Sequence, residues 1–286
     1  MTAAHVPAER ADHRAGNSRP DWAAIRALAA RDLLAVRRSK AVMLPMLLVP
    51  ALLLIVLPIV LAIAAGRSDP GGIGRFVESL PENLSAPIID LPENERIIVL
   101  VHGHLLAPLF LIVPLMVSAV IAADAFAGEK ERRSIESLLY LPVSDRDLFL
   151  AKIIASLVPA VAISWIGFAL YALVSNVSAW PIMHRVFLPT SLWMVVILWV
   201  APAVALLGLG VMVRVSARAT TTQEANQLGG AVILPLIFLA LGQSTGLLLL
   251  DLPVAIAVGL AVWLVALLLT ANGARRFARD RLAAQV

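Results

Sequence analysis

Two stretches of this chain carry side chains whose types and spacing could do chemistry. The first is His102-Gly-His104, with Glu93 and Glu95 upstream. Imidazoles and carboxylates ligate zinc, so a metal site is conceivable there, and with it an integral membrane enzyme, a lipid or peptide hydrolase built on His102, His104 and Glu95. The spacing matches no metal signature, and the default reading of such a pair is interfacial or packing histidines. The second stretch is Gly128 to Lys152, the one long, densely charged segment between two apolar runs. It reads as a water-exposed helix. Ile135, Leu138 and Leu139 share one face, and Glu131, Arg132, Arg133 and Glu136 ring that face with charge. Pro142 ends the helix because it has no N–H to donate. Ser144 then caps a second helix through Leu148, with Asp147 completing a capping box. An apolar stripe with a charged border, held at the mouth of a membrane bundle, suits docking on a soluble partner. The alternative is an amphipathic helix resting on lipid.

Other chemistry is missing from the sequence. It contains no G-x-x-x-x-G-K-[ST] nucleotide loop and no H-E-x-x-H. The 286 residues hold no cysteine, which excludes disulfides, thiolate metal sites and a cysteine nucleophile. Sixty per cent of the residues are hydrophobic and 15% charged, against about 25% charged in a soluble domain. Only a membrane protein fits. The net charge of +4 then reads as basic cytoplasmic loops, not as a nucleic-acid surface.

The elements that must position these residues follow in order. Residues 1–20 are polar and predict a disordered tail. Residues 21–40 predict an amphipathic helix capped by Asp21. Trp22, Ile25, Leu28, Ala29, Leu33 and Val36 form its apolar arc, Arg26, Arg31, Arg37 and Arg38 the opposite one, and Asp32 alone intrudes on the apolar side. Such a helix lies in the membrane interface with its apolar face in the acyl boundary. Six spans follow, at about 41–65, 97–123, 153–177, 190–213, 227–246 and 254–272, each long enough for a ~30 Å core. Residues 66–96 form a large loop, 214–226 a polar loop and 273–286 a basic tail. The spans hold almost no ionisable groups, so an internal proton or ion relay is not apparent, and the expectation is that energy comes from another chain. Ser118, Ser156, Ser164, Asn176, Gln227 and Gln243 read as interhelical hydrogen-bonding groups. Trp180 reads as an interfacial belt residue, and Trp165, Trp193 and Trp199 as lipid- or core-facing.

Orientation follows from basic residues. Nineteen of the 23 Lys and Arg fall in the N-terminal region, the charged segment, the Arg214 loop and the tail. Only Arg67, Arg75, Arg96 and Arg185 fall on the other side. Both termini and the charged segment are therefore expected in the cytoplasm.

From Phe126 to Ser144 the chain closely resembles the membrane subunits of type-2 ATP-binding-cassette (ABC) exporters. Their usual pattern there is Glu-Lys-Glu-Arg-Gly-Thr-Leu-Glu-x-Leu-Leu-x-x-Pro-Val-Ser. This sequence agrees at Glu129, Lys130, Glu131, Arg132, Glu136, Leu138, Leu139, Pro142, Val143 and Ser144; Arg133, Ser134 and Ile135 stand where Gly, Thr and Leu are usual. The layout also agrees: an N-terminal amphipathic helix, six spans, the motif between the second and third, and a large first external loop. The resemblance implies an all-α polytopic fold, dimerisation with a second copy or a paralogue, and two separately encoded cytosolic ATPase subunits that carry the ATP and Mg. It makes 129–142 the coupling helix that touches the ATPase and 21–40 the elbow helix. It implies transport, not catalysis, and no cofactor on this chain. A passive channel or scaffold is the remaining rival.

Overall fold

The computed structural model describes residues 20–67, 82–86, 88–131, 143–244 and 251–276. Residues 132–142, with most of the motif, lie outside them, as do the two tails and most of the first external loop. The architecture is all-α, with no strand among the described residues. Among the described residues six helical stretches are long and apolar enough to cross a membrane: Met46–Ala64, Glu95–Glu129, Asp145–Met183, Ser191–Ser216, Thr222–Gly242 and Leu252–Ala274.

The elements run as α1 (Trp22–Arg38), α2 (Lys40–Ala51), α3 (Leu57–Arg67), α4 (Glu82–Ser85), α5 (Glu93–Ile98), α6 (Leu106–Phe110), α7 (Ile112–Glu131), α8 (Asp145–Met183), α9 (Ser191–Val195), α10 (Ala201–Ser216), α11 (Thr222–Gly229), α12 (Leu234–Ser244) and α13 (Leu252–Arg276). π-Helical turns at Leu52–Val56, Val99–Leu105 and Val196–Val200 continue the first, second and fourth spans without a break. Such turns admit an extra residue into the helix and shift the side-chain register beyond them.

The second and fourth spans form the centre, with 67% and 61% of their most apolar windows buried, against 11% for the fifth and 17% for the sixth. α10 packs on α7 and on α13. Small residues permit the approach: a methyl at Gly208 would stand 2.9 Å from the Leu115 carbonyl oxygen and 2.7 Å from Ser118 Oγ. In lipid, where apolar surface is nowhere exposed to water, close backbone contact of this kind drives helix association. Within the centre, Phe110, Phe168, Tyr171 and Trp193 interlock, the Tyr171 and Trp193 rings 5.0 Å apart and the Phe110 ring edge-on to Trp193. Trp193 is thus a core residue.

Several sequence expectations change. α1 is capped by Asp21, whose carboxylate accepts from the Ala23 and Ala24 amides. Its apolar face, however, does not look into lipid. Ile25 and Leu28 pack on Leu148 and Ala151, because α8 begins well before its apolar run and offers a second stripe. Trp22 alone of the named arc turns outward. The polar 214–226 loop is helical from Thr222 onward, with Thr221 accepting from the Glu224 amide as N-cap. The serines do not join helices: Ser118, Ser156 and Ser164 donate to carbonyls of their own helices at Leu115, Lys152 and Ala160. A short hydroxyl reaches the carbonyl one turn back more readily than a neighbouring helix. Asn176 does join segments. Its amide donates to the carbonyls of Ala172 and Leu188, and its oxygen accepts from the Phe187 and Leu188 amides.

Candidate functional site

The charged stretch expected to sit in water has exposed residues at its described ends, Glu131 and Ser144, but buries Asp147 and Lys152 in the protein. Gly128–Glu131 form the last turn of α7. α8 begins at Asp145, with Ser144 Oγ accepting from the Asp147 amide. The cap is the one the sequence spacing predicts. Lys152, two turns into α8, is 1% exposed. Its ammonium group stands 2.6 Å from Glu129 Oε2 on α7 and donates to the Ala125 carbonyl at 2.6 Å. It also lies 3.9 Å from Asp32 Oδ2 on α1 and 5.3 Å above the Phe126 ring. Arg31 joins from outside, with Nη2 2.8 Å from Asp32 Oδ1 and 3.2 Å from Glu129 Oε1.

The intruding acid of α1 therefore has a place. Asp32 falls on the buried face because the buried face contains a lysine. An ammonium group out of water costs several kcal/mol unless its donors are filled. Here two carboxylates and a carbonyl from two other helices face it.

The next carboxylate also serves the bundle. Glu131 Oε2 accepts from the backbone amide and the hydroxyl of Thr222, both at 2.9 Å. It caps the first turn of the fifth span, where free amides and the helix dipole favour an anion. Gly128 lets this approach happen, since a methyl there would lie 3.2 Å from Thr222 Oγ1. A cavity of about 730 Å³ opens beside it between α7, α10 and α11, lined by Met116, Asp124, Met212, Asn226 and Gly230 among others.

Of the sequence-predicted coupling residues, Glu129 and Glu131 are thus held by the bundle itself. Arg132, Arg133, Ser134, Ile135, Glu136, Leu138, Leu139 and Pro142 lie outside the described residues. Of the α1 residues, Ile25 is core and Arg31 belongs to the ion cluster, while Arg26, Arg37 and Arg38 are exposed. Sequence pattern alone does not mark Lys152 or Asp32 as site residues. The available signal was a lone acid on an apolar arc and a lone lysine opening an apolar run.

The histidine pair has a different place. His102 is 1% exposed in the π-helical turn of the second span. Its Nδ1 and Nε2 lie 3.2 Å and 3.3 Å from the carbonyl oxygens of Ile98 and Pro58, and its ring stands edge-on to Phe187. Its own carbonyl accepts from Tyr171 Oη at 2.9 Å and from Trp193 Nε1 at 3.0 Å. Glu95 pairs with Arg185 instead of with the histidines. Among the described residues no three His, Cys, Asp or Glu side chains cluster as a metal site requires. His102 is a packing residue joining four spans.

Six apolar helices among the described residues, with an ion cluster joining α1, α7 and α8, define a polytopic membrane protein. A family model described as ABC-2 family transporter protein matches residues 26–256, and the chain belongs to that family. No curated protein matches it. The chain is a multi-pass membrane permease subunit of an ABC transporter, in a family that works with ABC ATPase subunits.

Proposed function

We propose that this permease works as an exporter by alternating access, driven by ATP hydrolysis on two separate cytosolic ATPase subunits that hold the ATP and Mg. Two copies, or one copy and a paralogue, form the membrane unit, with both termini and the 129–142 segment in the cytoplasm and α1 as the elbow helix. The observation that carries the reading is the continuity of α7. The most buried span runs as unbroken helix from Ile112 to Glu131 into the motif-bearing segment. Force applied to that segment by a closing ATPase pair would travel along a helix into the centre of the bundle, as a rigid-body switch requires. The weakly buried fifth and sixth spans leave apolar faces for the second permease unit and for lipid.

In this reading Leu138 and Leu139 fill a groove on the ATPase, since a few buried anchors dominate interface energy. Glu136 borders the groove and sets register more than affinity. The test is recovery of the ATPase on tagged permease. Leu139→Ala is expected to weaken the complex by about 1–3 kcal/mol. Glu136→Lys is expected to keep the complex at low salt while lowering transport per ATP. Equal recovery and equal coupling in wild type and both variants would overturn the reading.

A further inference from the structure

Three helices with separate roles meet at one buried ammonium group. α1 contributes Asp32, α7 contributes Glu129 and the Ala125 carbonyl, and α8 contributes the lysine itself. Glu129 lies two residues before α7 ends, and Lys152 lies two turns after α8 begins. The pair therefore ties the end of α7 at Glu131 to the start of α8 at Asp145, the two ends of the connector in sequence. Apart from the Asp32–Lys152 pair, apolar contacts of Ile25 and Leu28 with Leu148 and Ala151 hold α1 on α8. Such contacts are non-directional and tolerate sliding. A tetrahedral ammonium with acceptors on two other helices is directional and sets a register. Arg31, bonded to both Asp32 and Glu129 on the outer side, fixes the same register from α1.

We propose that Lys152 is a positioning residue that clamps α1, the end of α7 and the start of α8 into one rigid unit, so that displacement of the connector moves all three together. The inference rests on the coupling reading above. Without the clamp, a push on the connector would be absorbed by sliding of α7 against α8 and of α1 over both. With it, sliding exposes a buried ammonium and its carboxylates before their water returns. A lysine that only added stability would have no such consequence for motion.

The absence of native cysteine makes the test direct. Ala30 on α1 and Arg146 on α8 are exposed, so Ala30→Cys and Arg146→Cys accept nitroxide labels in the full chain in nanodiscs. Their distance distribution is measured in the permease alone, and in its complex with the ATPase before and after vanadate trapping. The clamp predicts one narrow distance in the otherwise wild-type protein, unchanged by trapping. It predicts loss of that single distance in Lys152→Met, and also in Lys152→Met combined with Glu129→Gln, which removes the opposing charge as well. A purely structural lysine predicts that the double variant recovers the narrow distance. That recovery, an unchanged distance in Lys152→Met, or a distance that shifts on trapping in the wild type would each overturn the proposal. Should Lys152→Met fail to give monodisperse protein, the wild-type comparison before and after trapping decides. Failure of the ATPase to bind would defeat the coupling reading alone, because the permease-only distances still report the clamp.

Discussion

The bundle is tied together at two places by opposite chemistry. At the connector end, α1, α7 and α8 meet through Lys152, Glu129, Asp32 and Arg31, all charged. Deeper in the core, the first four spans meet around His102 through neutral groups: a tyrosine hydroxyl, an indole N–H, an imidazole and backbone carbonyls. The first hub sits near the ends of α7 and α8 and Arg31 is partly exposed, so water remains near enough to moderate the desolvation of ions. The second lies within the apolar layer, where only neutral donors and acceptors are affordable and each must find a partner. Charge makes the first hub strong only while complete. Neutral, doubled hydrogen bonds make the second tolerant of a single loss.

The widest test asks whether the charged hub faces the cytoplasm at all. Single cysteines in place of Ser79, Ser144 and Gln285 are to be labelled in intact cells with an impermeant thiol reagent. Only the variant at Ser79 should react. Labelling at Ser144 would invert the comparison, since the charged hub would then face outward.

Next comes the completeness of the charged hub. Glu129→Ala leaves Lys152 buried against a weakened set of acceptors, and removal of one partner of a buried pair costs about 3–5 kcal/mol. Unfolding of the purified permease in detergent should register that loss. A change too small to measure would show that the pair is solvated and the hub ordinary.

The neutral hub should respond less. Tyr171→Phe removes one of two donors to the His102 carbonyl and leaves the Trp193 donor in place. A net loss of about 0.5–1.5 kcal/mol is expected in the same unfolding measurement. A loss equal to that of Glu129→Ala would remove the distinction between the hubs.

Smallest is the cap that starts α8 beside the charged hub. Ser144→Ala deletes the acceptor for the Asp147 amide, for an expected loss of about 1 kcal/mol. Because the cap and the Lys152 cluster lie two turns apart on α8, combining Ser144→Ala with Glu129→Ala should give nearly additive losses. Strong coupling between them would extend the charged hub to the helix start.

What the sequence by itself determined is what depends on composition and on neighbours along the chain. Uncharged runs of more than twenty residues require helices in lipid, because no other backbone satisfies its own hydrogen bonds there. The six spans follow from that requirement. The caps at Asp21 and Ser144 were equally legible, since a cap needs only side chains and amides two or three residues away. The motif between the second and third spans carried the family resemblance. Tertiary structure alone decided the partners of Lys152, Asp32, Glu131 and His102. Glu129 and Lys152 lie 23 positions apart, and Glu131 and Thr222 are 91 apart; no local pattern links such residues. The sequence showed Asp32 as an exception on an apolar face and placed that face in lipid. Only the packing of α1 on α8 shows the exception to be a ligand for a buried ammonium. A charge on an apolar arc can be interpreted only when the surface opposite it is known.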